Sequence, residues 1–222
     1  MKKVFLLFLL PSALFCQAEF IENDKFGLSG GYTFSNNEAF NSSSFDFVIT
    51  TFGVLDIGFE KGSGKLDDEY SPNQISTTAM LVYTAYNFKR INNNMILKVL
   101  AGYYLGTAEK SGNRISSSGL LLGLGAYPRV LTANQFSIRV AIELSYGFLS
   151  TSNSQNYFND DSEFDNSRSI ALGLNLVADV TKNFHFILSP FAAKDLLRSE
   201  DSFYFGLNTR LFISFEHRNN TQ

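Results

Sequence analysis

Residues 136–148 alternate between two kinds of side chain without a break. Phe136, Ile138, Val140, Ile142, Leu144, Tyr146 and Phe148 are apolar, with aromatics at both ends. Ser137, Arg139, Ala141, Glu143, Ser145 and Gly147 lie between them. A period of two means a β-strand with two different faces. A strand this long, with a central Arg and Glu on one face, is out of place in a soluble sandwich. It fits a barrel strand with lipid outside, a polar lumen inside and an aromatic girdle at each interface.

The pattern recurs along the chain. Phe203, Phe205, Leu207, Thr209, Leu211, Ile213 and Phe215 share one face, opposite Tyr204, Gly206, Asn208, Arg210, Phe212 and Ser214. Ile170, Leu172, Leu174, Leu176 and Ala178 oppose Ala171, Gly173, Asn175, Val177 and Asp179. The segments around Leu55–Phe59 and Phe26–Phe34 read the same way. Ten strands are expected, over 25–35, 43–51, 54–63, 75–88, 94–107, 115–128, 135–150, 168–180, 183–194 and 202–216. Short connections at 52–53, 89–93, 129–134 and 181–182 alternate with longer polar ones at 36–42, 64–74, 108–114, 151–167 and 195–201. That alternation is the sign of a bacterial barrel, with turns in the periplasm and loops outside. Merging 43–63 into one strand would give nine, and a further merge eight; the loop alternation favours ten. Because the hydrocarbon layer offers no water to open strand edges, the first and last strands must pair. The fold class expected is an all-β, closed antiparallel transmembrane barrel.

The N-terminus reads as a targeting signal over 1–18. Lys2 and Lys3 precede the apolar run Val4–Leu10, and Cys16-Gln17-Ala18 offers a cleavage site. The run is too short to cross a membrane as a helix. Acylation at Cys16 is the alternative, disfavoured by the bulky Phe15 before it. Cleavage after Ala18 leaves a barrel domain over 19–222 with no cysteine, which excludes disulfides and thiolate metal sites. Without Lys2 and Lys3 there are 16 basic residues against 21 acidic, a net charge near −5. That balance argues against a nucleic-acid partner. Composition supports the barrel: 23 Phe and 10 Tyr but no Trp, 16 Gly, and after the signal no 18-residue apolar stretch.

The chain resembles the small outer-membrane β-barrel proteins of Gram-negative bacteria. Segments such as FGVLDIGFEKGSG at 52–64 and FGLNTRLFISFEHR at 205–218 are similar to barrels of the Bacteroidetes group. The final strand, ending near Phe215, resembles the C-terminal signal read by the barrel-assembly machinery, although seven residues follow Phe215. The resemblance implies a location in the outer membrane, contact with its lipid and lipopolysaccharide, and assembly by that machinery. Further protein partners are not specified by it.

Enzymes of this architecture, the outer-membrane proteases, lipid A deacylases, palmitoyltransferases and phospholipases, place catalytic groups near the extracellular rim or the lipid face. Here the only two histidines are His185, expected at the periplasmic end of the lumen, and His217, beyond the last strand. Neither has a Ser or Asp at a recognisable motif spacing, so no catalytic residue is assigned. No cofactor or metal site is expected either. The acidic stretch 159–166 lacks the Gly and closing Glu of an EF-hand. It reads as a solvated loop, as does 64–74, with divalent-ion bridging to lipopolysaccharide as a secondary role. Gly-Ser-Gly at 62–64 lacks the Lys and helix of a phosphate loop.

The lumen holds the most telling candidates. Asp46, Asp56, Glu60, Glu143 and Asp179 are expected to face Lys98, Arg139 and Arg210, with Glu60, Glu143 and Arg210 near mid-height and Asp56, Lys98, Arg139 and Asp179 lower. One reading is a charge-lined passage that mildly favours cations. The favoured one is a salt-bridged plug, because a barrel of eight strands holds only side chains and ten is little wider. The inward positions of Leu121, Ile187, Phe191 and Phe212 point to the plug. The carboxylate pair Glu60 and Glu143 is set aside as a glycosidase dyad, since burial at mid-barrel blocks a polymer.

Overall fold

The computed structural model describes residues 26–36, 40–66, 75–89, 94–110, 113–153, 163–196 and 203–215. The segment 1–18 expected to be a signal, residues 159–162 of the acidic stretch and His217 lie outside them. Ten strands follow in order: β1 (Phe26–Asn36), β2 (Phe40–Thr51), β3 (Leu55–Leu66), β4 (Ile75–Lys89) and β5 (Met95–Lys110) form the first half. β6 (Asn113–Ala133), β7 (Phe136–Asn153), β8 (Glu163–Asp179), β9 (Phe184–Asp195) and β10 (Phe203–Phe215) form the second. Each pairs antiparallel with its sequence neighbours, and β1 pairs with β10 from Phe26↔Phe215 to Asn36↔Phe205. The barrel is therefore closed, with no free edge to leave backbone groups unpaired.

Burial alternates as the residue pattern requires. In β10 the exposed positions are Phe203, Phe205, Leu207, Leu211, Ile213 and Phe215, while Tyr204, Asn208, Arg210, Phe212 and Ser214 are buried in the lumen. Outward aromatics gather toward the two ends of the wall. Tyr86 and Phe88 meet edge to face near the end where β1 starts and β10 finishes, and Tyr146 and Phe148 do so near the other. Between them the outer surface of β6–β8 is Leu, Ile and Val, including Leu122, Leu124, Ile142, Leu144, Leu172 and Leu174, while Tyr32, Phe45 and Tyr103 lie at mid-strand on β1, β2 and β5. An outward face this apolar is the surface a barrel turns to lipid.

The short connections cluster at the end where β1 starts and β10 finishes. Phe52 and Gly53 both have positive φ, and the Val54 N–H donates to the Thr51 carbonyl. That is the backbone of a primed hairpin turn, whose twist matches the flanking strands. The break between β2 and β3 is thus real, and ten strands stand. Thr181 accepts the backbone N–H groups of Asn183 and Phe184 on its hydroxyl, fastening the β8–β9 turn.

Several expected boundaries need correction: β2 starts at Phe40 and β3 runs to Leu66, which shortens the loops expected at 36–42 and 64–74. The turn expected at 129–134 is only Asn134-Gln135, because β6 continues to Ala133 through a bulge at Val130. The loop expected at 108–114 is mostly strand: β5 runs to Lys110 and β6 starts at Asn113, with Glu109 opposite Arg114. Opposite charges directly across a ladder extend a hairpin that polarity alone suggests should be loop. β8 likewise begins at Glu163, so Glu163–Asn166 are strand residues paired with β7.

Candidate functional site: the charged lumen

The lumen is built from small wall residues and large side chains that lie over them. Tyr83 lies over Gly58 on the adjacent strand, and Phe191 over Gly206. Phe40 covers Gly64, Tyr104 covers Gly106, and Tyr127 covers Gly125. In each case a Cβ on the glycine would collide with the ring. The missing side chain makes a niche in the wall, and the ring fills it at near-crystalline density. Three apolar clusters result. One joins Val48, Leu81, Tyr83, Leu100, Tyr104, Leu121 and Leu149; a second joins Ile96, Tyr127, Phe191 and Tyr204; the third joins Val177, Ile187 and Phe212.

Charged groups sit among these clusters in four sets of contacts. Arg210 donates from Nη2 to Asp46 Oδ2 at 2.6 Å, both side chains fully buried. They project from β10 and β2, which flank β1, and Gly31 lies between them in register with both. Glu60 is opposite Asp46 in the β2–β3 ladder and is also buried.

Asp56 forms the second set near the turn end. Its carboxylate accepts the Thr50 hydroxyl at 2.6 Å and the Asn87 amide at 2.9 Å, with Lys98 Nζ 3.9 Å away. Lys98 also lies 5.9 Å from the centre of the Tyr83 ring. A buried carboxylate keeps its charge only with such donors around it. In the third set the Tyr127 hydroxyl donates to Glu143 Oε1 at 2.7 Å, while Arg139 donates to the Tyr127 backbone carbonyl at 3.1 Å.

Asp179 stands apart. It meets His185 Nδ1 at 2.6 Å at the turn-side mouth, and its side chain is 43% exposed. Of the expected lumen charges Asp56, Glu60, Lys98, Arg139, Glu143, Asp179 and Arg210, all but Asp179 are buried in the lumen. The first set gathers Glu60 and Arg210 around Asp46, the second joins Asp56 to Lys98, and the third links Arg139 to Glu143 through Tyr127. Asp179 belongs to the rim, because it is the last residue of β8. Leu121, Ile187, Phe191 and Phe212 are buried inward, as their alternation requires.

Sequence reasoning missed Tyr127, Thr50 and Asn87 as partners of the lumen charges. Their signal was present: each falls on the inward parity of its strand. The glycine niches also left a signal, since Gly58 and Gly206 occupy inward positions directly across from an inward aromatic.

Asp179 Oδ1 and His185 Nδ1 share a hydrogen bond. The His185 ring is buried against Phe212, with centroids 5.7 Å apart. Among the described residues no group of three or more His, Cys, Asp or Glu side chains is placed to hold a metal ion.

No protein-family model matches the chain, and no curated protein matches it in sequence. Solved structures do match in fold. The translocator domain of the autotransporter NalP from Neisseria meningitidis is 13% identical, with 93% of this chain and 91% of that one covered, at a TM-score of 0.54. The transport unit of the autotransporter AIDA-I from Escherichia coli is 11% identical, with 97% and 94% covered, at a TM-score of 0.52. The shared feature is the closed outer-membrane type of β-barrel.

Proposed function

We propose that this chain is an integral outer-membrane protein of a Gram-negative bacterium, exported by its N-terminal signal. In this reading it has a structural or interaction role, and its own side chains close the lumen. The barrel fold, the apolar outer wall and the outward aromatics toward both of its ends support the location. Its surroundings are outer-membrane lipid and lipopolysaccharide, and the barrel-assembly machinery inserts it. The Bacteroidetes-like segments at 52–64 and 205–218 suggest the bacterial group.

One observation carries the closed lumen. Inward side chains from every part of the wall are shielded from solvent: Leu81 and Arg139 are 0% exposed, Lys98 1% and Arg210 2%. A water-filled passage would leave such side chains wet. The paired charges support the same reading, because ion pairs inside a packed interior act as struts, whereas a conducting path needs weak, exchangeable sites.

A second reading, a small channel for ions, is favoured by the surplus of carboxylates among the lumen charges. Planar-bilayer recording on the refolded mature chain separates the two. A closed lumen gives no discrete openings at either polarity. Stable unitary steps with cation preference overturn it and establish the channel. A third reading, an accessory subunit of a larger assembly or secretion complex, draws on the Phe-rich outer wall, and native mass measurement after mild solubilisation tests it. No enzymatic role is proposed, since the Asp179–His185 pair sits at the turn-side mouth with its ring packed on Phe212.

A further inference from the structure

The outer wall carries a feature that a uniform lipid-facing surface does not need. A groove of about 480 Å³ runs along it over β5–β8 and the residue after β9, lined by Val99, Leu122, Leu124, Leu144 and Leu196. Its loop-side end is formed by Tyr146 and Arg168. Arg168 lies directly across from Tyr146 in the β7–β8 ladder, with its guanidinium 5.2 Å from the ring centre. Next to it is a second cation. Lys194 is paired with Ile170, two residues along β8 from Arg168, and its ammonium lies 4.7 Å from the centre of the Phe203 ring. Diagonal neighbours of this kind are about 7–8 Å apart, within joint reach of one headgroup.

Both cations face outward, Arg168 in the groove and Lys194 on the neighbouring strand. Beyond Arg168 toward the turn end, β8 shows only Ile170, Leu172, Leu174, Leu176 and Ala178 on that face. Beyond Lys194, β9 shows Ala192, Pro190, Leu188, Phe186 and Phe184. Among the described residues neither cation has a carboxylate partner. Each is instead held over an aromatic ring, a contact that steadies the cation. A second exterior groove, of about 600 Å³ and lined by Ile57, Val82, Tyr103, Leu120 and Phe148, has no charged residue at all.

We propose that Arg168 and Lys194, together with the groove below them, form a binding site for lipid A, the phosphorylated glycolipid of the outward leaflet. The cations take a phosphate of the headgroup, and one acyl chain lies in the groove. Guanidinium and ammonium groups bind phosphate through charge-assisted hydrogen bonds. The loops mark the outward side, so the site opens onto the leaflet where lipid A resides. The proposal rests on the outer-membrane reading above.

The test uses the refolded mature chain in detergent, with native mass spectrometry of added lipids. Bisphosphorylated lipid A is expected to give a one-to-one adduct. Changing both cations, Arg168→Ser with Lys194→Ser, weakens it about tenfold or more. Lys61→Ser, an outward cation elsewhere on the loop-side wall, leaves it unchanged. Fully dephosphorylated lipid A loses the preference for wild type over the double variant. An adduct indifferent to phosphate, an equal loss in Lys61→Ser, or phosphatidylglycerol binding as tightly as lipid A overturns the assignment. The heat-dependent gel shift of a folded barrel is read on every sample. A wild-type chain that will not insert into vesicles sinks the outer-membrane reading. One that inserts and shifts, yet gives no phosphate-dependent adduct, sinks this inference alone.

Discussion

Arg210 on β10 and Asp46 on β2 meet at 2.6 Å across β1, the strand that closes the barrel, and Gly31 of β1 has no side chain to separate them. A Cβ at Gly31 would sit 2.7 Å from an Asp46 oxygen and 3.0 Å from Arg210 Nε. Removing Arg210 strands a buried carboxylate, so Arg210→Ala should cost about 3–5 kcal/mol in reversible urea unfolding from micelles. Replacing both partners by apolar residues, Arg210→Met with Asp46→Leu, should recover most of that loss. Equal stability of Arg210→Ala and wild type would show that the pair holds nothing together.

The rim pair behaves differently. His185 and Asp179 also meet at 2.6 Å, but the Asp179 side chain is 43% exposed. Water already solvates it, so Asp179→Asn should change stability by no more than about 1 kcal/mol. The contrast with Arg210→Ala, measured in one denaturation series, separates burial from distance as the determinant.

Gly58 and Tyr83 test the niches. Gly58→Ala forces the ring off its seat and should destabilise by about 1–3 kcal/mol. Tyr83→Ala leaves a cavity and also destabilises alone. In the double variant the new methyl group enters space the ring has vacated, so the two losses should not add. Simple additivity in the cycle would refute the contact.

The outer face is probed at Ile142, which is 40% exposed and paired with Leu172. Ile142→Lys puts a charge at the lipid-facing midpoint and should cost about 2–4 kcal/mol. Ser145 faces inward and shares a hydrogen bond with Ser169. If Ile142→Lys were harmless while Ser145→Lys was ruinous, the faces would be reversed.

Phe52 is 71% exposed and holds a φ of 52°, a conformation that L side chains other than Asn, Asp and Gly resist. Phe52→Asn makes the turn Asn-Gly and should stabilise the β2–β3 hairpin by about 1 kcal/mol. The gain should appear as a raised urea midpoint. A loss instead would mean that the Phe52 ring anchors the turn at the membrane interface.

The ten strands and their faces were legible because a barrel wall has two solvents, and every residue from Phe136 to Phe148 reports which one it meets. Strand ends were less so. Polar residues such as Glu109, Lys110, Asn113 and Arg114 stay paired beyond the apolar band, where a ladder needs no hydrophobic signal. The inward parity of the lumen charges was also legible. Their grouping was not, because parity fixes a side and not a neighbour. Arg210 finds Asp46 two strands away only because β1 is glycine at that level, a relation that depends on register across the closing strand. The groove ending at Arg168 depends likewise on which outward residues are small and where, which no single strand reveals.

The closure of β1 against β10 also carries a kinetic consequence. Nine of the ten ladders join strands adjacent in sequence and can zip locally from their turns. The remaining one brings Phe26 to Phe215, so nearly the whole chain must be ordered before the last hydrogen bonds form. Contacts of such long sequence separation form late and slowly. Until that seam shuts, two bare edges are exposed, each able to capture the edge of another copy. The rate of seam closure, more than the stability of any hairpin, should therefore decide how much of the chain reaches the finished barrel and how much is lost to aggregation.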